Sequence, residues 1–196
     1  MKDGNRKWIP LGVVLGAAAA GVLLAAFPPV HKELRTPRLI CFGSLSTKTA
    51  ALLGDPGGDG GGGRVTATDW ERRGKGDYAV FQACHMERAA TDGSPRVVSA
   101  LVIQDSQGPP LVLGGPVRLG AGLDGWVRPG RAEAALPAGC ARRMGSTAPY
   151  LTVQVDVASW DEETMKPAQR AAANRANQTV LREAVTKLTT LYACGT

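Results

Sequence analysis

Between Trp8 and Val30 the chain carries no charged residue. The core of this run, WIPLGVVLGAAAAGVLLAAF from Trp8 to Phe27, is about the length a helix needs to cross a bilayer. Gly12, Gly16 and Gly21 lie inside it; glycine is common in membrane helices. Pro28-Pro29 would stop the helix, because neither residue offers an N–H to continue it. Trp8 and Phe27 fall where the two interfaces would be, which suits aromatic rings. A cleaved export signal is the alternative, with Lys2, Arg6 and Lys7 as its basic start, but its apolar core would be about 7–15 residues and this one is longer. The length therefore favours an uncleaved anchor. The expected organisation is a cytoplasmic tail over residues 1–7, a membrane helix over 8–28, a linker over 29–38 and an extracytoplasmic domain over 39–196.

Charge does not orient this anchor. Lys2, Arg6 and Lys7 precede it, and Lys32, Arg35 and Arg38 follow it, so the positive-inside rule is balanced. The four cysteines break the tie. Cys41, Cys84, Cys140 and Cys194 all follow the anchor, and disulfides persist outside the cytoplasm while being rare within it. The single-pass chain is therefore expected to hold its N-terminus in the cytoplasm and its domain outside. Four cysteines admit three pairings; the favoured one is Cys41–Cys84 and Cys140–Cys194. No CxxC spacing occurs, which argues against redox exchange and zinc ribbons.

The net charge of +6 misleads as a whole-chain figure. Residues 1–38 hold six basic and two acidic residues, leaving only +2 for residues 39–196. Anionic lipid headgroups explain a basic excess beside an anchor. Nucleic acid is not an expected partner, because that reading needs a basic patch on the folded domain.

Periodicity outlines the domain. Ser46 or Thr47 is placed to cap a short helix that Gly54 ends. Asp55 to Gly63 reads as a glycine-rich flexible loop without the GK[ST] ending of a phosphate loop. Strand patterns follow over Arg64–Trp70 and Asp77–Glu87, the latter with Tyr78, Val80, Cys84 and Met86 on one face. Arg96–Gln104 is apolar on both faces and reads as a central strand. Leu111–Leu113, Val117–Leu119, Gly125–Val127 and Arg131–Leu136 are shorter candidates. From Pro149 to Val157 the pattern alternates, with Leu151, Val153, Val155 and Val157 facing in and Thr152, Gln154 and Asp156 facing water. A long helix over Pro167–Tyr192 carries the stripe Leu181, Ala184, Val185, Leu188, Leu191 and Tyr192, and Glu183 and Lys187 fall at i, i+4 spacing. Ser159 with Glu162 resembles a capping box, and Asp161-Glu162-Glu163 suits the dipole at a helix start. The sum is an α+β fold: an antiparallel sheet with a short N-terminal and a long C-terminal helix packed on one face.

Chemistry is sparse. His85 is the domain's only histidine, and its strand neighbour Cys84 points to the opposite face, so the two cannot act directly as a nucleophile pair. No GxSxG, HExxH or SxxK occurs. No catalytic, cofactor or metal residue is assigned. Gly12 and Gly16 form a GxxxG spacing that would let two membrane helices dimerise, although small residues abound in this segment anyway.

The opening Cys41-Phe42-Gly43-Ser44-Leu45-Ser46, Cys84 within a strand, and Leu136-Pro137-Ala138-Gly139-Cys140 resemble an uncharacterised group of actinobacterial membrane-anchored envelope proteins. Those share a Cys-aromatic-Gly-x-Leu start and four cysteines. The resemblance implies an extracytoplasmic domain without an assigned activity. Three readings of the chain result: a membrane-tethered, non-catalytic binding or assembly module; an envelope hydrolase using His85 with an acidic partner; and a structural subunit of a membrane complex. The expected contacts are lipid through Trp8–Phe27, another envelope or membrane protein, and a second copy through Gly12 and Gly16.

Overall fold

The computed structural model describes residues 39–54, 65–73, 80–89, 95–120, 123–158, 160 and 162–194, all within the unit Pro37–Thr196. The expected tail (1–7), membrane helix (8–28, with Gly12 and Gly16), linker (29–38) and glycine-rich loop (55–63), and Tyr78 and Ser159, lie outside these residues. Among the described residues, no helix is long and apolar enough to cross a membrane.

The elements run β1 (Leu39–Ile40), β2 (Leu45–Ser46), α1 (Thr47–Ala50) with a 3₁₀ turn (Ala51–Gly54), β3 (Val65–Arg73), β4 (Val80–Ala89), β5 (Pro95–Ser106), β6 (Gly115–Gly120), β7 (Leu123–Arg128), β8 (Arg131–Ala135), α2 (Ala138–Arg143), β9 (Tyr150–Val157) and α3 (Pro167–Leu191). Strands β3 to β9 form one sheet in the order β3-β4-β5-β9-β8-β7-β6. Every neighbouring pair is antiparallel. Two meanders, β3-β4-β5 and β6-β7-β8-β9, therefore meet at the β5–β9 pairing, where Leu101 faces Val155 and Ile103 faces Val153.

Register and alternation sort the side chains into two faces. One face gathers Cys84 and Met86 of β4, Leu101 and Ile103 of β5, Val153 and Val155 of β9, and Ala132 and Ala134 of β8, all buried. α3 covers this face with Ala173, Ala176, Val180, Leu181, Ala184, Val185 and Leu188. Alanines on both β8 and α3 let the helix lie close, and the branched side chains around them fill the remaining space. The first segment packs into the same core through Leu45, Ala50 and Leu53. Ser46 caps α1 by accepting from the Thr49 N–H. Its own N–H and hydroxyl donate to the two carboxylate oxygens of Glu183 on α3, at 3.0 and 3.1 Å.

The disulfides join Cys41 to Cys84 and Cys140 to Cys194. Each sits beside strained backbone. Cys41, Phe42 and Gly43 adopt consecutive left-handed conformations, with φ of 54°, 58° and 78°, closed by the Ser44 N–H on the Cys41 carbonyl. For the two non-glycine residues this costs about 1–2 kcal/mol each. The Cys84 bond and the Phe42 N–H donated to Asp69 Oδ2 (3.1 Å) hold the turn. After α3, the Ala193 and Cys194 N–H groups donate to the Thr190 and Thr189 carbonyls. This is a Schellman ending, with Ala193 at the left-handed position (φ 49°) that glycine normally fills.

Several expectations change. Leu111–Leu113 is no strand but the exposed tip of the β5–β6 loop. Cys140 lies on α2, a helix the periodicity did not reveal. Leu191 is exposed and drops out of the α3 stripe, whereas Tyr192, just past the helix, is partly buried and packs against the core. Thr152 and Gln154 do not face water; both are buried, held by partners on neighbouring strands. The first turn of α3 holds no acid. Glu162 and Glu163 precede it, so the dipole does not explain them. Pro167 does occupy the first turn, where its missing N–H costs nothing, and Gln169 accepts from the Lys166 N–H.

At the sheet edge, β6 contains Pro116, which has no N–H, and the Arg118 carbonyl accepts from Arg182 Nη2 on α3 at 3.1 Å.

Cys140 and Cys194 close a loop of 54 residues, so the double variant C140S/C194S should lose about 4 kcal/mol in urea unfolding. Ala193→Gly should raise stability by about 0.5–1 kcal/mol in the same measurement, since it relieves the left-handed strain at the cap.

Candidate functional site

Among the described residues, no helix packs on the second face of the sheet. Along β7 it presents Asp124, Trp126 and Arg128, and along β8 Arg131, Glu133 and Ala135; Trp126 lies opposite Glu133. Two cavities flank this row.

The first, about 600 Å³, is largely apolar. Trp126 forms part of its wall, with Pro109, Pro110 and Val112 from the β5–β6 loop and Pro116 from β6. Arg118 and Asp124 supply its charged groups and are direct cross-strand neighbours. The loop lies on the sheet because Gly114 has no side chain: a Cβ there would meet the Val127 carbonyl and come within 2.9 Å of Trp126 Cε3. Trp126 is consequently 1% exposed, and its indole N–H has no acceptor among the described residues. The loop tip, by contrast, turns Leu111, Val112 and Leu113 to solvent at 76%, 71% and 52% exposure.

The second cavity, about 570 Å³, is polar. Arg128 and Arg131 come from the ends of β7 and β8, Asp156 from β9, and Glu162 and Glu163 from the connection to α3. The tight Pro129-Gly130 turn positions both arginines; Gly130 takes φ 79°, and a Cβ there would come within 2.9 Å of the Trp160 carbonyl. Arg128 also reaches over the Trp126 ring, 6.0 Å from its centroid, which ties the two cavities together along β7.

Between the cavities a polar network crosses the strands. Arg131 Nη2 donates to Gln154 Oε1 (2.7 Å), and Gln154 donates onward to Asp156. Arg131 also lies 3.8 Å from both Glu133 and Asp156. Burial raises the Glu133 pKa above its ordinary 4.5; Arg131 opposes the rise and Asp156 adds to it.

His85 stands exposed on the same open face, paired across strands with Thr68 and Ala100, and it lines neither cavity. Neither of these two cavities brings it together with a carboxylate. At the far edge, Trp70 packs edge-on against Phe81 at 5.4 Å. Cys41, Cys84 and Asp69 come within 4.8 Å of one another. The two sulfurs are bonded to each other and Asp69 is engaged by the Phe42 N–H, so this cluster has structural work rather than free ligands. Sequence reasoning missed the cavity around Trp126. The available signal was one tryptophan in a short strand after a loop with three prolines in eight residues, from Pro109 to Pro116.

No family model, curated protein or solved structure matches this chain.

Glu133 binds its proton more tightly in the folded than in the unfolded chain, so it stabilises the fold below its unfolded pKa and that contribution is lost as pH rises through its folded pKa. Denaturation from pH 4 upward should show the wild-type chain losing stability relative to Glu133→Gln. A constant difference between the two would remove this assignment.

Proposed function

We propose that this chain is a membrane-tethered, extracytoplasmic binding or assembly module whose working surface is the face of the sheet opposite α3. The observation carrying this reading is the apolar cavity beside Trp126, bordered by three consecutive exposed apolar residues. Cavities of this size and lining are the usual sites of ligand recognition, and contiguous exposed apolar groups mark interaction surfaces. The location rests on the uncharged run over Trp8–Phe27 and on the two disulfides, which belong to oxidising compartments. The resemblance to anchored actinobacterial envelope proteins agrees with it. Binding requires no reacting group, which fits the exposed position of His85 away from both cavities.

The test uses the full chain in intact cells. Its four cysteines should resist alkylation until a reductant is added, and externally added protease should digest the domain. A photo-crosslinking amino acid at position 112 should give a discrete product, while one at Lys187, exposed on α3, should not. Free thiols in freshly harvested protein would remove the compartment. Identical crosslinking from both positions would remove the surface.

A further inference from the structure

We propose that two copies of this chain pair through their β3 strands, antiparallel and about a two-fold axis at Glu71, so that two sheets become one.

The two borders of the sheet are built differently. β6 contains Pro116, its register shifts between Arg118 and Gly120, and Arg182 occupies the Arg118 carbonyl. β3 is nine residues long, contains no proline and pairs with β4 without a shift in register. Among the described residues, no strand pairs with its outer edge and no loop backbone bonds to it. Unpaired N–H and C=O groups along such a border are a template for another strand. β3 is also exposed on both faces, at Thr66, Thr68, Asp69, Trp70, Glu71 and Arg72. Of the devices that guard a border it has charge alone, and charge of both signs.

That charge pattern selects a second copy. Pair types alternate along an antiparallel ladder, so a two-fold axis has to pass between one residue and its own copy. Centring on Ala67 or Thr68 brings no opposite charges together. Centring on Asp69 sets Asp69 against itself, and centring on Trp70 sets Asp69 against Glu71 twice. Centring on Arg72 leaves only three residues of each β3 in the ladder. Centring on Glu71 keeps five, Asp69 to Arg73, and gives Asp69 and Arg73 facing positions twice.

The same register sets Arg72 against Trp70 twice. Within one chain Trp70 already meets Phe81 edge-on at 5.4 Å, and the Arg72 guanidinium lies 6.0 Å from the Phe81 centroid. Arg72 stands directly opposite Phe81 on β4. Pairing therefore lines up Phe81, Arg72 and the second copy's Trp70, a cation between two rings. One like pair, Glu71 with its own copy, opposes this at the axis.

A two-fold pair uses both open borders and leaves only the two obstructed β6 borders, so the assembly closes at two. β3 lies at the other end of the sheet from Trp126, and crosslinking from position 112 stands or falls separately.

The experiment uses the purified full-length chain in detergent, oxidised with diamide and run on a non-reducing gel. Glu71→Cys should give a product of doubled mass, because facing residues in a ladder have Cβ atoms about 5 Å apart. Thr68→Cys, exposed on the same strand, should not. Peptide mapping should find Cys41–Cys84 and Cys140–Cys194 intact in both. Sedimentation equilibrium without the added cysteines supplies the second readout. Arg72→Ala removes two cation–π contacts, each worth about twofold to fivefold at an exposed site, and should weaken the dimer about fourfold to twenty-five-fold. Glu71→Gln removes the like pair and keeps an acceptor for Gln82 Nε2, which Glu71 now binds at 3.0 Å, so it should tighten the dimer.

No doubled product from Glu71→Cys overturns the pairing. Equal product from Thr68→Cys means random collision and overturns it as well. Product from Thr68→Cys alone overturns the register. A dimer indifferent to both Arg72→Ala and Glu71→Gln is held elsewhere in the chain, and β3 is then not its interface.

Discussion

The pairing of β5 with β9 is the interaction on which the rest depends. It is the one ladder that joins the two meanders, and it places Leu101 and Ile103 against Val155 and Val153 at the centre of the sheet. Every other ladder joins strands adjacent in sequence. Without this long-range contact, α3 would have only half a sheet to lie on, and the first segment would lose the surface against which Leu45 and Leu53 pack. Loop-closure entropy makes such a contact costly to form. The two apolar faces of β5 and the clean alternation of β9 supply the burial that offsets it.

Around that centre the covered face is closed by α3 and by the two disulfides. Glu183 on α3 receives Ser46, and Cys41 reaches β4. Asn177, wholly buried on α3, donates to the Arg128 carbonyl at 2.8 Å. A buried amide on a helix face is costly without a partner, so this contact fixes the helix in one register above the β7–β8 hairpin. The same hairpin carries Trp126, Arg128, Arg131 and Glu133 on its other face. Packing on one side of the sheet thereby positions the groups on the other.

Much of the fold was legible in the sequence because local pattern and tertiary role coincide there. Val153 and Val155 alternate with polar residues and face the core; Ser46 precedes a helix and caps it; Leu181, Ala184, Val185 and Leu188 recur at helical spacing and are buried. Where burial is imposed by other strands, pattern misled. Thr152 and Gln154 occupy the polar positions of β9, but Gln104 and Arg131 engage them. Glu162 and Glu163 resembled a helix start, while the helix begins at Pro167 and they line a cavity. The cavity beside Trp126 was illegible for a different reason. Its wall draws on a loop, two strands of one hairpin and the end of a third strand, and only the register that puts Trp126 opposite Pro116 and Glu133 assembles it.

The β6 margin has one more consequence. A strand at the border of a sheet ordinarily offers a ladder of donors and acceptors to any extended chain. Here Pro116 withholds one rung, and the guanidinium of Arg182 already occupies the Arg118 carbonyl. Growth of the sheet from molecule to molecule is obstructed on that side. Chains crowded on a common support can therefore sit shoulder to shoulder without zipping into ribbons, and a visitor has to come in broadside.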